Sequence, residues 1–222
     1  MDEADEAGEE AVMTLPDGYS EEARTLWDAA VALNRRAGAV SLPPLLFFTD
    51  PDRTPRPWEA AARLPAGAGV VFRTFGRPEA TETGHRLRAA TRSAGVRLLV
   101  GLDFDLAEAI AADGLHLPER AAEQAGAIRV RRPDWLITAA WHGAGTPVTA
   151  GLDALTLSPV FPAGGASAAK PALGVEAFRM RAADAGLPVY ALGGVTPDKA
   201  ASLLDSGACG LAGVGAVQSA FS

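Results

Sequence analysis

Residues 187–217 read L-P-V-Y-A-L-G-G-V-T-P-D-K-A-A-S-L-L-D-S-G-A-C-G-L-A-G-V-G-A-V and indicate how the chain folds. The apolar run 188–192 is typical of a strand buried on both faces, and Gly193 and Gly194 follow it directly. A helical stretch then leads to a second apolar run, residues 210–217. Because the connections are short, this strand–helix–strand unit predicts two parallel strands.

The glycines of this stretch lie just past the predicted ends of the two strands. A backbone without side chains can bring N–H groups close to an anion there. In an eight-stranded α/β barrel, the loops after strands 7 and 8 are the usual phosphate site. We therefore predict phosphate binding at Gly193, Gly194, Val214 and Gly215. The alternative, that these glycines only form tight turns, stays open at this point.

The rest of the chain alternates predicted strands with predicted helices, which is typical of an α/β fold with a parallel sheet. The earlier predicted strands are residues 45–49, 70–73, 97–101, 114–117, 135–139 and 154–158. The predicted helices between and after them are residues 57–64, 79–94, 105–112, 120–125, 147–152, 175–185 and a truncated 216–222. The pattern alone fits either a barrel or a doubly wound open sheet.

The length of 222 residues and the hydrophobic content of 48% predict one well-buried globular domain. Residues 1–18 are expected to form a disordered acidic tail, and residues 19–40 a helical extension capped by Ser20. The extension could close the bottom of a barrel or pack on its side. Residues 41–222 would form the α/β domain.

Charge and hydropathy exclude several classes of partner. The net charge of −7 arises mainly from residues 1–10, which carry six acidic side chains and no basic one. The rest carries 20 basic and 21 acidic residues, which does not fit a nucleic-acid surface. No apolar run reaches the roughly 18 residues of a membrane span, and the acidic N-terminus is not typical of a secretory signal. We expect a cytoplasmic protein without nucleic-acid or membrane partners, in which the single cysteine, Cys209, is structural.

Three sets of motifs resemble the thiamine phosphate synthase/TenI family. They are A-D-G-L-H-L-P at 112–118, L-S-P-V-F-P at 157–162 with L-G-V-E at 173–176, and A-L-G-G-V-T at 191–196 with the glycine-rich end of the chain. The resemblance implies a compact (β/α)₈ TIM barrel. It also implies the coupling of hydroxymethylpyrimidine pyrophosphate with thiazole phosphate, with pyrophosphate released. The expected partner is a small phosphorylated heterocycle, either thiazole phosphate or pyrimidine pyrophosphate, and a homo-oligomer is left open.

The family's polar motifs for pyrophosphate and Mg²⁺ are largely replaced. Where the family has Q-L-R-E-K, this chain has V-F-R-T-F at 71–75, and only Arg73 matches. Where the family has N-D-R, this chain has G-L-D at 101–103, and Ala121 stands at the position of a second acidic residue. The resemblance thus implies Mg²⁺ only if the synthase reaction is retained, and otherwise no cofactor. No metal site is expected, and Asp50 and Asp103 are the remaining candidate ligands.

Several further residues are candidates for substrate contacts. His142 stands at the histidine of the family's S-x-H motif, where TenI tautomerases use it as an acid–base group. Arg73 and Lys170 are the candidate cations for catalysis. His116, Ser158 and Phe161 are expected to line the substrate pocket. Each also has a plain structural interpretation, as a packed or solvated side chain.

Three hypotheses about function follow. The first is a thiamine phosphate synthase-like transferase. The second is a TenI-like thiazole tautomerase that uses His142 and needs no metal. The third is a protein that binds a phosphorylated ligand without catalysis, for example as a regulator.

Overall fold

The fold is a closed barrel of eight parallel strands, arranged around the barrel in sequence order. The computed structural model describes residues 15–164 and 170–222. The strands are β1 Leu45–Phe48, β2 Gly69–Phe72, β3 Arg97–Gly101, β4 Gly114–Leu117, β5 Leu136–Trp141, β6 Ala154–Leu157, β7 Val189–Leu192 and β8 Gly210–Gly213. The barrel closes where β1 pairs with β8, with Leu46 opposite Ala212. The barrel implied by the resemblance is therefore confirmed, and the open sheet is excluded.

Helices surround the barrel, numbered here in chain order. They are α1 Glu21–Arg36, α2 Pro57–Ala61, α3 Ala80–Ala94, α4 Phe104–Ala109, α5 Ala125–Arg131, α6 Gly174–Asp184, α7 Pro197–Ala200 and α8 Gly215–Ala220, with 3₁₀ turns at Glu119–Gln124 and Ala201–Leu203. In the described ranges, none of these helices combines the length and apolar character needed to cross a bilayer.

Two layers of apolar side chains form the core. Alternate strand residues such as Leu46, Val71, Leu99 and Tyr190 fill the barrel interior, and their neighbours pack outward against the helices. Cys209 belongs to the interior layer, where burial raises the pKa of its thiol. It is therefore held as a neutral packing group.

The N-terminal helix packs on the side of the barrel, against β8 and the helices that flank it. The Ser20 hydroxyl accepts a hydrogen bond from the N–H of Ala23 at 3.1 Å, so the predicted N-cap is confirmed. At the other end, the buried amide of Asn34 donates to the carbonyls of Ala39 and Cys209, at 2.8 and 3.2 Å. These bonds anchor the helix to the start of β8.

The chain already packs against this helix at Leu15, which is buried and whose carbonyl accepts a hydrogen bond from Arg24 at 2.8 Å. Leu15 lies inside the stretch 1–18 predicted as a tail. Residues 1–14 lie outside the described residues, so the expected disorder there stays a prediction.

Two predictions of elements were wrong, and a third was shifted, since the predicted helix at 120–125 is a 3₁₀ turn at Glu119–Gln124 and the α-helix α5 follows it. The predicted helix at 147–152 is absent, and β5 connects to β6 through irregular chain in which Gly143, Gly145 and Gly151 have positive φ. The last strand was expected to run to residue 217 but ends at Gly213, and a helix begins two residues later. In both places the glycines allow backbone conformations that the apolar pattern does not reveal.

Candidate functional site

A cavity of about 260 Å³ lies at the carboxyl ends of the strands, where active sites of such barrels are found. Its wall contains the loops after β7 and β8 and side chains from the first two βα loops. All four predicted phosphate-binding residues line it, namely Gly193, Gly194, Val214 and Gly215. The structure therefore brings this predicted group together.

The glycine pair after β7 packs directly on the loop after β6. A β-carbon at Gly193 would lie 2.7 Å from Cα of Pro159, and one at Gly194 would lie 2.5 Å from the carbonyl oxygen of Pro162. Both glycines have positive φ, at 93° and 65°. The N–H of Phe161 donates to the carbonyl of Gly193 at 3.0 Å and ties the two loops together. Only glycine fits this backbone, which leaves the peptide groups close to the cavity.

The second glycine turn has a different cause. A β-carbon at Gly213 would lie 2.9 Å from the Val217 side chain, so β8 must end in glycine for α8 to pack across it. A β-carbon at Gly215, in contrast, would have no neighbour within 4 Å, because this residue borders open space. Gly215 therefore leaves room beside the backbone for a bound group.

Three cationic side chains line the same cavity, namely Arg53, Arg73 and Lys199. Arg73 follows β2, and its Nε donates to the carbonyl of Thr49 at 2.7 Å. Its guanidinium carbon lies 5.5 Å from the ring centre of Phe48 and 5.4 Å from that of Phe75. Burial lowers the pKa of Arg73, while Asp50, at 3.8 Å, opposes that shift. Arg73 is thus a positioned cation that suits an anionic ligand.

The candidate metal ligands are engaged in local contacts. Asp50 accepts hydrogen bonds from the backbone N–H of Asp52 and of Arg53, both at 3.2 Å. Burial alone would raise its pKa, but hydrogen bonds from Arg53 outweigh burial and lower it. Asp103 is the N-cap of α4 and accepts from the N–H of Leu106 at 2.9 Å. Within residues 15–164 and 170–222, no three His, Cys, Asp or Glu side chains converge on a possible metal position. The described residues therefore form no all-protein cation cage, and a Mg²⁺ bound through substrate phosphates would need only one or two carboxylates such as Asp50.

Two apolar side chains stand where the family carries polar groups for pyrophosphate and metal. Phe75 is 70% exposed and Leu102 is 43% exposed, and both have positive φ, at 48° and 66°. Left-handed backbone is unfavourable for residues with bulky side chains. These two positions on the rim are therefore apolar and strained, where the resemblance implies polar groups.

A second cluster forms around His142, after β5. Its Nε2 lies 3.3 Å from Nζ of Lys170 and 4.0 Å from a carboxylate oxygen of Glu119. Its Nδ1 lies 3.3 Å from the carbonyl oxygen of Ser158, and its backbone N–H donates to Glu119 at 3.3 Å. The structure thus brings together His142, Lys170 and Ser158, although Ser158 contributes its carbonyl here. The sequence did not predict Glu119 as part of this cluster. Its position just after β4 was the one feature that pointed to the site.

The remaining pocket candidates have packing roles. His116 is buried, with Nδ1 at 2.9 Å from the Thr138 hydroxyl and its ring perpendicular to that of Phe48. Burial, assisted by the charge of Arg73, lowers the pKa of His116 to about 3. The imidazole is therefore neutral near pH 7. Phe161 is partly buried, and Nζ of Lys199 lies 5.5 Å from its ring centre.

The sequence of the chain is similar to those of known proteins. A family model described as thiamine monophosphate synthase matches residues 49–217. The chain is 31% identical to the thiamine-phosphate synthase of Moorella thermoacetica over 63% of its own length, and 33% identical to that of Geobacillus kaustophilus over 61%. These matches span 68% and 62% of the two relatives.

A solved structure is also similar. It is a thiamine phosphate pyrophosphorylase from Pyrococcus furiosus, which superposes with a TM-score of 0.64 at 25% identity. The match covers 80% of this chain and 91% of that protein. The similarity thus extends over most of the barrel.

The tight packing at Gly194 generates a prediction for ligand binding. In Gly194→Ala, the methyl group would force the loop away from Pro162, so thiazole phosphate should bind at least about tenfold more weakly, which is about 1.4 kcal/mol. Gly126→Ala is the matched control and should bind within about twofold of the wild type, because Gly126 lies on α5, outside the cavity, and its methyl group would meet open space. Calorimetric titration of both folded variants measures this, and equal binding by wild type and Gly194→Ala would contradict it.

Burial of neutral His116 predicts a pH-dependent stability. Its folded pKa of about 3 is below the ordinary value of 6.5, so the unfolded chain binds more protons between these limits. The contribution of neutral His116 to the free energy of unfolding is complete above about pH 6.5 and is lost as the pH falls. Between pH 7 and pH 5 the loss should be about 2 kcal/mol in the free energy of unfolding.

Urea unfolding at both pH values measures this loss. A folded His116→Gln variant should lack that part of the pH dependence, because its side chain does not titrate. A wild type and variant with the same pH dependence would refute the assignment of the effect to His116.

Proposed function

This chain belongs to the thiamine monophosphate synthase family, and from that premise we propose that it acts in thiamine biosynthesis on a thiazole phosphate. The proposal rests on one observation. The two glycine turns and the cations Arg73 and Lys199 line the same cavity. Backbone N–H groups and fixed cations are the donors that recognise a phosphate ester. The aromatic ring of Phe48 lines the same cavity, 5.5 Å from the guanidinium carbon of Arg73, and would border a flat heterocycle bound there.

The reaction proposed first is the coupling of this thiazole phosphate to a pyrimidine pyrophosphate. The named synthases to which the chain is similar support this choice. Coupling releases pyrophosphate, so the site must stabilise the negative charge that develops on the leaving group. Arg53 and Arg73 come from neighbouring βα loops and face the cavity where this charge would develop. We assign no step of this reaction to Mg²⁺.

The contacts of His142 favour a second reaction, the tautomerisation of a thiazole carboxylate phosphate. A carbonyl oxygen only accepts hydrogen bonds, so the Ser158 carbonyl assigns the ring proton of the neutral imidazole to Nδ1. The lone pair on Nε2 then faces Nζ of Lys170. When a substrate phosphate draws Lys170 away, Nε2 is free to take up and return a proton. This chemistry uses no metal.

The coupling reaction predicts a specific role for Arg73. In assays with both substrates, the wild type should form thiamine phosphate and pyrophosphate. Arg73→Gln should lower kcat/KM by roughly 10- to 100-fold, because a hydrogen bond to a charged group contributes about 1.5–3 kcal/mol. Arg77→Gln is the matched control, since Arg77 is an exposed arginine paired with Asp52 and should change kcat/KM less than about twofold. Wild-type protein that binds both substrates but makes no product would exclude coupling.

The tautomerisation predicts a different sensitive residue. His142→Ala should slow interconversion of the thiazole carboxylate phosphate tautomers by roughly 10²- to 10⁴-fold, the usual contribution of a general acid–base group. His85→Ala should have no effect, because His85 is exposed on α3, outside the site. Nuclear magnetic resonance of the two tautomers follows the rate. Unchanged turnover in His142→Ala would rule out this second function.

A further inference from the structure

A larger cavity, of about 690 Å³, opens at the opposite end of the barrel, and the function proposed above does not use it. It lies where β3 to β6 begin, and the segment before β1 forms part of its wall. Its size is within the range of small-molecule sites. Four arginines line it, namely Arg88, Arg92, Arg97 and Arg129, together with three aspartates.

The carboxylates of this wall are already engaged. Asp113 accepts two hydrogen bonds from the guanidinium of Arg88, at 2.6 and 2.8 Å, and one from the N–H of Leu98 at 2.7 Å. Asp153 accepts one hydrogen bond from the guanidinium of Arg129 and one from the N–H of Ile137. These two aspartates therefore neutralise two of the four arginines and tie down the first residues of β3 and β5.

The third carboxylate, that of Asp134, is also paired with an arginine. The guanidinium of Arg132 donates two hydrogen bonds to it, at 3.0 and 3.3 Å, and holds its pKa below the ordinary value. No acidic side chain of the wall is left to pair with the remaining two arginines.

Arg92 and Arg97 thus carry the uncompensated charge. In the part of the chain that the structure describes, neither guanidinium forms an ion pair or a hydrogen bond. Arg92 comes from the last turn of α3, and Arg97 is the first residue of β3. Leu99, two residues along the strand from Arg97, faces the barrel interior, so Arg97 lies on the inner face at the mouth of the barrel.

The wall also contains hydrogen-bond donors without acceptors. The indole N–H of Trp135 and the Nε–H of Arg88 are buried and have no partner among the described residues. Buried polar groups normally find a partner in the protein or in a bound molecule. The surplus at this end of the barrel consists of donors and positive charge, which complements a group that only accepts hydrogen bonds.

We propose that this cavity is a second anion site, in which Arg92 and Arg97 bind the phosphate group of a small phosphate monoester. Arginine suits this ligand because its planar guanidinium offers paired donors to phosphate oxygens. The site is separate from the thiazole phosphate cavity, since one lies at the amino ends and the other at the carboxyl ends of the strands. Bound there, a phosphate monoester would link α3 to the base of the barrel.

Titration of the full-length protein with inorganic phosphate tests this site. The readout is the ¹H–¹⁵N spectrum of the backbone amides, which reports on the two ends of the barrel separately. The amides of Gly95 and Arg97 should shift in a saturable way, independently of those of Gly194 and Gly215. In Arg92→Gln/Arg97→Gln, the shift at Gly95 should require at least tenfold more phosphate, while the shift at Gly194 should be unchanged.

Arg63→Gln is the matched control, because Arg63 is an exposed arginine outside the cavity, and it should leave both sets of shifts unchanged. The proposal is overturned if phosphate causes no saturable shift at Gly95 and Arg97. It is also overturned if the double variant responds like the wild type, or if chloride at equal ionic strength reproduces the shifts. Loss of the Gly194 response alone would count against the proposed function and not against this site.

Discussion

The close contact between the Gly193–Gly194 backbone and the loop at residues 159–162 determines how the candidate site is built. With any side chain at these glycines, the loops after β6 and β7 could not approach as they do. Their approach fixes one wall of the phosphate cavity and places the Ser158 carbonyl next to His142. The cluster around His142 is therefore positioned by a backbone constraint, and Arg73 faces the cavity wall that the same constraint fixes.

The order of the strands could be predicted because buried parallel strands leave a strong signal, namely short apolar runs bounded by glycine, proline or charge. The predicted bounds of β3 and β4 match the structure. The prediction of a helix at 147–152 was wrong because the apolar residues there do not recur at helical spacing. The prediction that the last strand runs to residue 217 was wrong because an apolar run of this length fits a strand or a buried helix equally well.

The site could be predicted only where one short motif carries it, as at Gly193, Gly194 and Gly215. The contact of Lys170 with His142 joins residues 28 positions apart through a long loop, and sequence spacing does not fix such a distance. Glu119 was missed for the same reason. The replaced motifs were visible in the sequence, but the structure adds that Phe75 and Leu102 form an exposed, strained rim there. The chain thus keeps the glycine turns on one side of the candidate site and replaces the family's polar motif residues on the other.

The central claim is that the glycine turns after β7 and β8 hold the phosphate of a thiazole phosphate. A crystal structure of the protein with thiazole phosphate bound tests this most directly. The account predicts that the phosphate oxygens lie within hydrogen-bond distance of the backbone N–H groups of Gly194 and Gly215, with Arg73 or Lys199 beside them. A thiazole phosphate bound elsewhere, or bound in this cavity with its phosphate turned towards solvent, would contradict the account.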